Sequence, residues 1–127
     1  MIVRHFNELE AAGRLKEKPG VFSSARYLLK DDGVGFTLTQ TTLAAGQSLE
    51  MQYKNHIEAN LVIEGEGVVT NIETGEVFQL QPGSMYTLDK HDRHHMQANT
   101  DMRIVCVFTP ALTGEETHDA DGSYPLL

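Results

Sequence analysis

Glycine spacing constrains the fold of this chain more than any other feature. From Gly20 onward, short runs of β-branched and aromatic residues alternate with tight-turn signals. These are Asp31-Asp32-Gly33, Ala45-Gly46, Gly65-Glu66-Gly67, Thr74-Gly75 and Pro82-Gly83. The spacing predicts nine strands, at 24–29, 35–43, 47–53, 58–64, 68–72, 76–80, 84–88, 93–98 and 102–108. Nine short strands with almost no helix between them imply an antiparallel sandwich or barrel. One stretch, 8–15, reads as a helix, because Asn7 and Glu10 have the spacing of a capping box. The segment 113–127 contains two glycines and a proline and reads as irregular. At 127 residues the chain fits a single domain over 1–127, large enough for a core and too short for two.

Charge and cysteine content narrow the functional classes. The formal net charge of −8 argues against nucleic acid or anionic lipid as a partner, since phosphate binding needs a basic face. Lys and Arg are scattered, and Arg26, inside a strand-like run, stands out among them. No apolar run reaches the length of a membrane span, so no membrane partner is expected. The N-terminus lacks a basic region followed by an apolar core, which sets the cytoplasm as the expected location. The single cysteine, Cys106, excludes an intramolecular disulfide framework and agrees with a reducing compartment.

The sharper signal is the registration of a few residues. Gly46, Glu58 and Gly65 fall in the frame G-x5-H-x-H-x3-E-x6-G, with Gln52 and Lys54 at the two histidine positions. Gly83 and His94 fall in G-x5-P-x-G-x2-H-x3-N, with Asp89, His91 and Ala98 at the Pro, Gly and Asn positions. These frames are the two motifs of the cupin superfamily, which the chain resembles. The resemblance implies an all-β, cupin-type double-stranded antiparallel barrel, or jelly roll, here with a short N-terminal helix.

Half of the usual ligand set is absent, yet a changed metal site explains the residues better than a lost one. Glu58 and His94 would project into a barrel, where an unpaired carboxylate is costly. Tyr86, on the strand leading to His94, can add a phenolate. Two oxygens and an imidazole form a hard set that suits iron and leaves coordination positions open, unlike a closed four-ligand zinc site. Each residue also has a plainer reading. Glu58 can be a solvated strand end, His94 part of a polar hairpin turn, and Tyr86 a packed tyrosine with its hydroxyl bonded.

Longer blocks resemble the ectoine synthase family across nearly the whole length. They include Met1-Ile2-Val3-Arg4, Leu28-Leu29-Lys30-Asp31-Asp32, Asn55-His56, Ile63-Glu64-Gly65-Glu66-Gly67, Leu88-Asp89-Lys90-His91-Asp92 and Tyr124-Pro125-Leu126-Leu127. The family implies cyclisation of N-γ-acetyl-diaminobutyrate with loss of water at an Fe(II) site, other divalent metals being alternatives. It implies Glu58, Tyr86 and His94 as metal ligands and a homodimer as the assembly. Its substrate contacts fall on Arg26, Thr41, Tyr53, Cys106, Phe108, Glu116 and His118. Glu116 and His118 are expected to handle protons, with Tyr53 as a possible donor, and Arg26 to hold a carboxylate in two-pronged fashion.

The plainer readings are a solvated tail for Glu116 and His118 and a surface ion pair for Arg26. Thr41 can simply fill a strand, and Cys106 and Phe108 can line a pocket without reacting. Two departures bear on substrate fit. Phe22 stands where the family usually has Trp, keeping an aromatic wall but losing the indole donor. Thr109-Pro110-Ala111 replaces a common Asn-Pro-Pro. A different metal-dependent cupin enzyme, a dioxygenase or isomerase, and a non-catalytic ligand-binding cupin are the alternative functions.

Overall fold

The computed structural model describes all 127 residues. A four-residue helix, α1 (Phe6–Leu9), precedes ten strands. These are β1 (Leu15–Lys18), β2 (Phe22–Leu28), β3 (Thr37–Leu43), β4 (Ser48–Met51), β5 (Ile57–Glu64), β6 (Gly67–Asn71), β7 (Val77–Leu80), β8 (Met85–Thr87), β9 (His94–Ala98) and β10 (Met102–Thr109). A six-stranded sheet runs in the order β1-β2-β3-β10-β5-β8 and faces a four-stranded sheet, β4-β9-β6-β7. All the pairings are antiparallel. The nine expected strands are therefore present, with their boundaries moved by a residue or two at several ends.

Two expectations need correction at the N-terminus. The helix is Phe6–Leu9 rather than 8–15, and its N-cap is His5, not Asn7. Only Leu9 of this helix is buried, and Gly13 in the left-handed region turns the chain. Residues 15–18 then join β2 as an unforeseen edge strand, with Leu15 opposite Ala25 and Lys18 opposite Phe22. A four-residue edge strand with two lysines carries little alternation to announce it.

The pleat sorts side chains onto two faces. On β10, Met102, Ile104, Cys106 and Phe108 point inward and are buried, while Arg103, Val105 and Val107 point outward. The inward residues of β5 are Glu58, Asn60 and Val62, and those of β9 are His94, Met96 and Ala98. Ile104 sits opposite Val62, Cys106 opposite Asn60 and Phe108 opposite Glu58. The interior thus changes character along the strands. One end is apolar and closed by Val62, Val69, Leu80, Ala98 and Met102, with each large apolar side chain contributing about 1.5–3 kcal/mol on burial. Toward the other end the inward positions turn polar.

Gly65 makes the closed end possible. Its φ is +87°, and a Cβ there would lie 2.1 Å from the Asp101 carbonyl oxygen. Any side chain would force the β5–β6 turn away from the β9–β10 connection. After a cis Thr109–Pro110 peptide, the chain runs on to Leu127 without regular structure, as expected.

Candidate active site

A cavity of about 340 Å³ opens between the sheets at the polar end. Its floor is Glu58, Asn60 and Tyr86, which meet because Asn60 pairs with Tyr86 across β5 and β8. Burial pushes the Glu58 carboxyl up to about 7, opposed only in part by the neighbouring Asn60 amide. The Asn60 Nδ2 itself meets no acceptor in hydrogen-bonding geometry. Burial also holds the Tyr86 phenol well above its ordinary value.

His94 lies behind this floor, 1% exposed. Its ring centroid is 6.5 Å from that of Tyr86 and 6.3 Å from that of Tyr53. Its Nδ1 is 3.0 Å from the Asp92 carbonyl oxygen, which can only accept, so the proton belongs on Nδ1. Nε2 is then left with a free lone pair, and it has no hydrogen-bond partner. Burial lowers the imidazole below its ordinary value and keeps it neutral. An outer hydrogen bond that fixes the tautomer and leaves the other nitrogen free is how a metal-ligating histidine is built.

The approach to His94 departs from the usual motif in an instructive way. His91 takes the place of a glycine and adopts φ +55°. The strain is offset locally, because its Nδ1 donates to the Tyr53 carbonyl oxygen at 2.8 Å and its own carbonyl accepts from Gln52 Nε2 at 3.2 Å. Gln52, at a position where a ligand would be expected, thus holds the loop that precedes His94.

The cavity walls come from the long sheet and the tail. Arg26 on β2 is buried and points into the cavity. Its Nε donates to Ser24 Oγ at 3.2 Å and its Nη1 to the Gly114 carbonyl oxygen at 3.2 Å. Both acceptors are neutral, and no carboxylate lies within ion-pair distance. Burial lowers Arg26, countered by charge on Tyr124, Glu116 and Glu115. Thr41, Cys106, Phe108 and Phe22 line the same space. Burial pushes the Cys106 thiol up to about 12, so it is a wall rather than a nucleophile.

Tyr53 and His118 form the one direct hydrogen bond between ionisable side chains in the cavity, at 2.9 Å. Burial raises the Tyr53 phenol well above its ordinary value and lowers His118, so a neutral phenol faces a neutral imidazole. Glu116 also lines the cavity, but both its oxygens are engaged. They accept from the Thr113 and Gly114 amides at 2.8 and 2.9 Å and from Thr113 Oγ1 at 2.8 Å. Burial alone would raise Glu116, yet these bonds prevail and leave it below its ordinary value.

Ten of the eleven residues singled out from sequence therefore line this one cavity, and the eleventh, His94, backs it. Sequence reasoning missed Tyr124, which stacks on His118 with centroids 4.4 Å apart and reaches Tyr53 at 5.1 Å. It also missed Asn60, Thr39, Ser24 and Lys16, none of which has a type or spacing that marks it.

Two facing antiparallel sheets that enclose a cavity open at one end have the cupin-type fold, and solved structures agree. An RmlC-like cupin from Shewanella frigidimarina superposes with a TM-score of 0.64 at 17% identity, over 76% of this chain and 83% of its own. That likeness carries the fold alone. The crystal structure of ectoine synthase from P. lautus matches with a TM-score of 0.88 at 46% identity, over 100% of this chain and 91% of that one. L-ectoine synthases from Sphingopyxis alaskensis and Oceanobacillus iheyensis are each 50% identical to it. They cover 98% and 100% of this chain and 90% and 98% of their own lengths. The ectoine synthase family model matches residues 1–127. The chain belongs to the ectoine synthase family, a family of enzymes.

Proposed function

We propose that this chain closes N-γ-acetyl-L-2,4-diaminobutyrate to ectoine with loss of water, as a hydro-lyase holding Fe(II) or another divalent metal. The observation that carries the metal assignment is the buried His94 Nε2, its lone pair free and its tautomer fixed, behind the Glu58–Tyr86 floor. Glu58 supports it. A carboxyl raised to about 7 by burial is a group whose charged form lacks a cation. Glu58, Tyr86 and His94 would hold the ion. A bound metal supplies Lewis-acid polarisation of a carbonyl oxygen.

The remaining work falls to the chain's own side chains. In the proposed reaction the α-amine nitrogen bonds to the acetamide carbon, and the carbonyl oxygen leaves as water with two protons drawn from nitrogen. Arg26, buried without a carboxylate partner, is suited to grip the substrate carboxylate with two parallel hydrogen bonds. Tyr53 can donate its phenolic proton to the departing oxygen, and His118 Nε2, already hydrogen-bonded to that phenol, can relay one taken from the amine. Glu116 suits proton handling less well than His118. Its oxygens hold the loop that presents Gly114 to Arg26. Phe22, Thr41, Cys106 and Phe108 enclose the folded substrate, and Tyr124 closes the side formed by the tail. Positioning of this kind can remove several kcal/mol of barrier.

A homodimer is part of the same reading. Ile57, Leu61, Ile63 and Met85, on the outer face of β5 and β8, are all more than a third exposed, and a second copy would cover them. No helix of the chain is long and apolar enough to cross a membrane.

The test is to load the purified protein with Fe(II), add N-γ-acetyl-diaminobutyrate and monitor the product by chromatography. Ectoine is the expected product. Bound substrate that emerges unchanged, or oxidised, from a fully metal-loaded protein would overturn the assignment in favour of a binding cupin or a dioxygenase.

A further inference from the structure

The positive charges of this acidic chain are not placed evenly. Five of its ten Lys and Arg side chains lie within ion-pair distance of a carboxylate, Asp32 alone holding two of them. Lys30 donates to the Leu127 carbonyl oxygen at 2.9 Å. Lys16, Lys18, Arg26 and Lys90 remain without a carboxylate, and two of these four, Lys16 and Arg26, line the cavity.

Strand register puts those two together. Lys16 on β1 sits directly opposite Ser24 on β2. Ser24 Oγ in turn accepts from Arg26 Nε at 3.2 Å. The guanidinium thus lies over the residue that Lys16 faces, and Lys16, Ser24 and Arg26 border one opening. Lys16 is half-buried and makes no hydrogen bond or ion pair of its own. Glu116, the buried carboxylate on the tail side of the cavity, is saturated by its own loop. Neither cation has a carboxylate within ion-pair distance, and Arg26 feels Glu116 and Glu115 only from further away, so both heads can still pair directly with an anion that enters the cavity.

We propose that Lys16 completes, with Arg26, a two-cation site at the cavity mouth. Lys16 is there a positioning and specificity residue for the carboxylate of an amino-acid-like substrate. The proposal rests on the catalytic reading only for the identity of that substrate. Arg26 supplies directed, two-pronged hydrogen bonds, while Lys16 acts as a point charge on a flexible stem that favours the anion over its neutral isosteres.

Calorimetric titration of the metal-loaded protein tests this. The ligands are N-γ-acetyl-diaminobutyrate and the analogue whose carboxylate is replaced by a carboxamide. Lys16→Gln should weaken binding of the acid about tenfold and leave the carboxamide within about twofold. KM should rise by the same factor with kcat unchanged, and the salt dependence of kcat/KM should flatten. Lys16→Arg should retain acid binding. Lys90→Gln removes the same charge from an exposed loop outside the cavity and should change nothing. Equal acid affinity in Lys16→Gln and wild type would overturn the inference. So would equal losses for acid and carboxamide, or an equal effect of Lys90→Gln. Wild-type protein that binds the acid without cyclising it would refute the catalytic reading while the affinities still decide the role of Lys16. Wild-type protein that binds neither ligand would refute both.

Discussion

At His94, the Nδ1 proton is committed to the Asp92 carbonyl oxygen, and the other nitrogen is buried with nothing to bond. Replacing the side chain should remove the metal. Its one hydrogen bond stays within its own loop, at the Asp92 carbonyl, so the change breaks no hydrogen bond between elements and leaves a void beside Tyr53 and Tyr86. His94→Ala is expected to carry less than about a tenth of the wild-type iron by elemental analysis, and full iron retention would refute the triad. Tyr53→Phe separates chemistry from metal binding. The phenyl ring keeps its edge contact with Phe108 at 5.2 Å, but the proton offered alongside His118 is gone. Turnover should fall about 100-fold at unchanged iron content, read from steady-state kinetics. Glu58 and His94 were legible in the sequence through motif spacing, whereas Tyr86 and Arg26 stood out by chemical type and through the family resemblance. Tyr124 and Lys16 were not, because each enters the cavity through a segment that alternation does not describe: an irregular tail and a four-residue edge strand.

Among the elements, β2 to β10 were readable because five of the eight connections between them carry a glycine and the inward faces of the longer strands alternate. The N-terminal arm was not. Its 8–15 pattern satisfied a capping rule locally, but the chain beyond Leu9 is stabilised by tertiary partners that no local pattern reveals. Asp32 is the hub of that arm. It accepts from Arg4 Nη2 at 2.7 Å, Arg14 Nη1 at 3.0 Å and the Leu29 amide at 2.9 Å. The Arg4 hydrogen bond is the main reason its carboxyl falls to about 2, with burial working against it. A carboxyl depressed on folding contributes stability that is full above its unfolded value of about 4 and lost as pH falls through about 2. Thermal midpoints should therefore decline between pH about 4 and 2 in the wild type. Asp32→Asn should be about 1–3 kcal/mol less stable at pH 7 and show a shallower acid decline. Parallel acid curves for the two proteins would contradict the role given to Asp32.

For the whole molecule, two surfaces decide function. The tail is strapped across the β4–β5 connection, with Ser123 Oγ accepting from the Lys54 amide at 2.9 Å and Asn55 Nδ2 donating to the Tyr124 carbonyl oxygen at 2.9 Å. Gly122 passes so close that a Cβ would lie 2.7 Å from the Glu50 carbonyl oxygen. This strap delivers His118 and Tyr124 to the cavity. On the opposite side of the long sheet, Leu61 is 43% exposed within an apolar face. Leu61→Glu should convert a dimer to a monomer by light scattering, and an unchanged mass would move the interface elsewhere. In the proposed function the strap serves cyclisation at the end of the barrel where Glu58, Tyr86 and His94 would hold a metal. Proton NMR of N-γ-acetyl-diaminobutyrate with Fe(II)-loaded protein, metal-stripped protein and reloaded protein tests it most directly. Ectoine ring signals should grow with the loaded protein, stop on stripping and return on reloading. Ring formation at the same rate in metal-stripped protein, or none in loaded protein that binds the substrate, would contradict it.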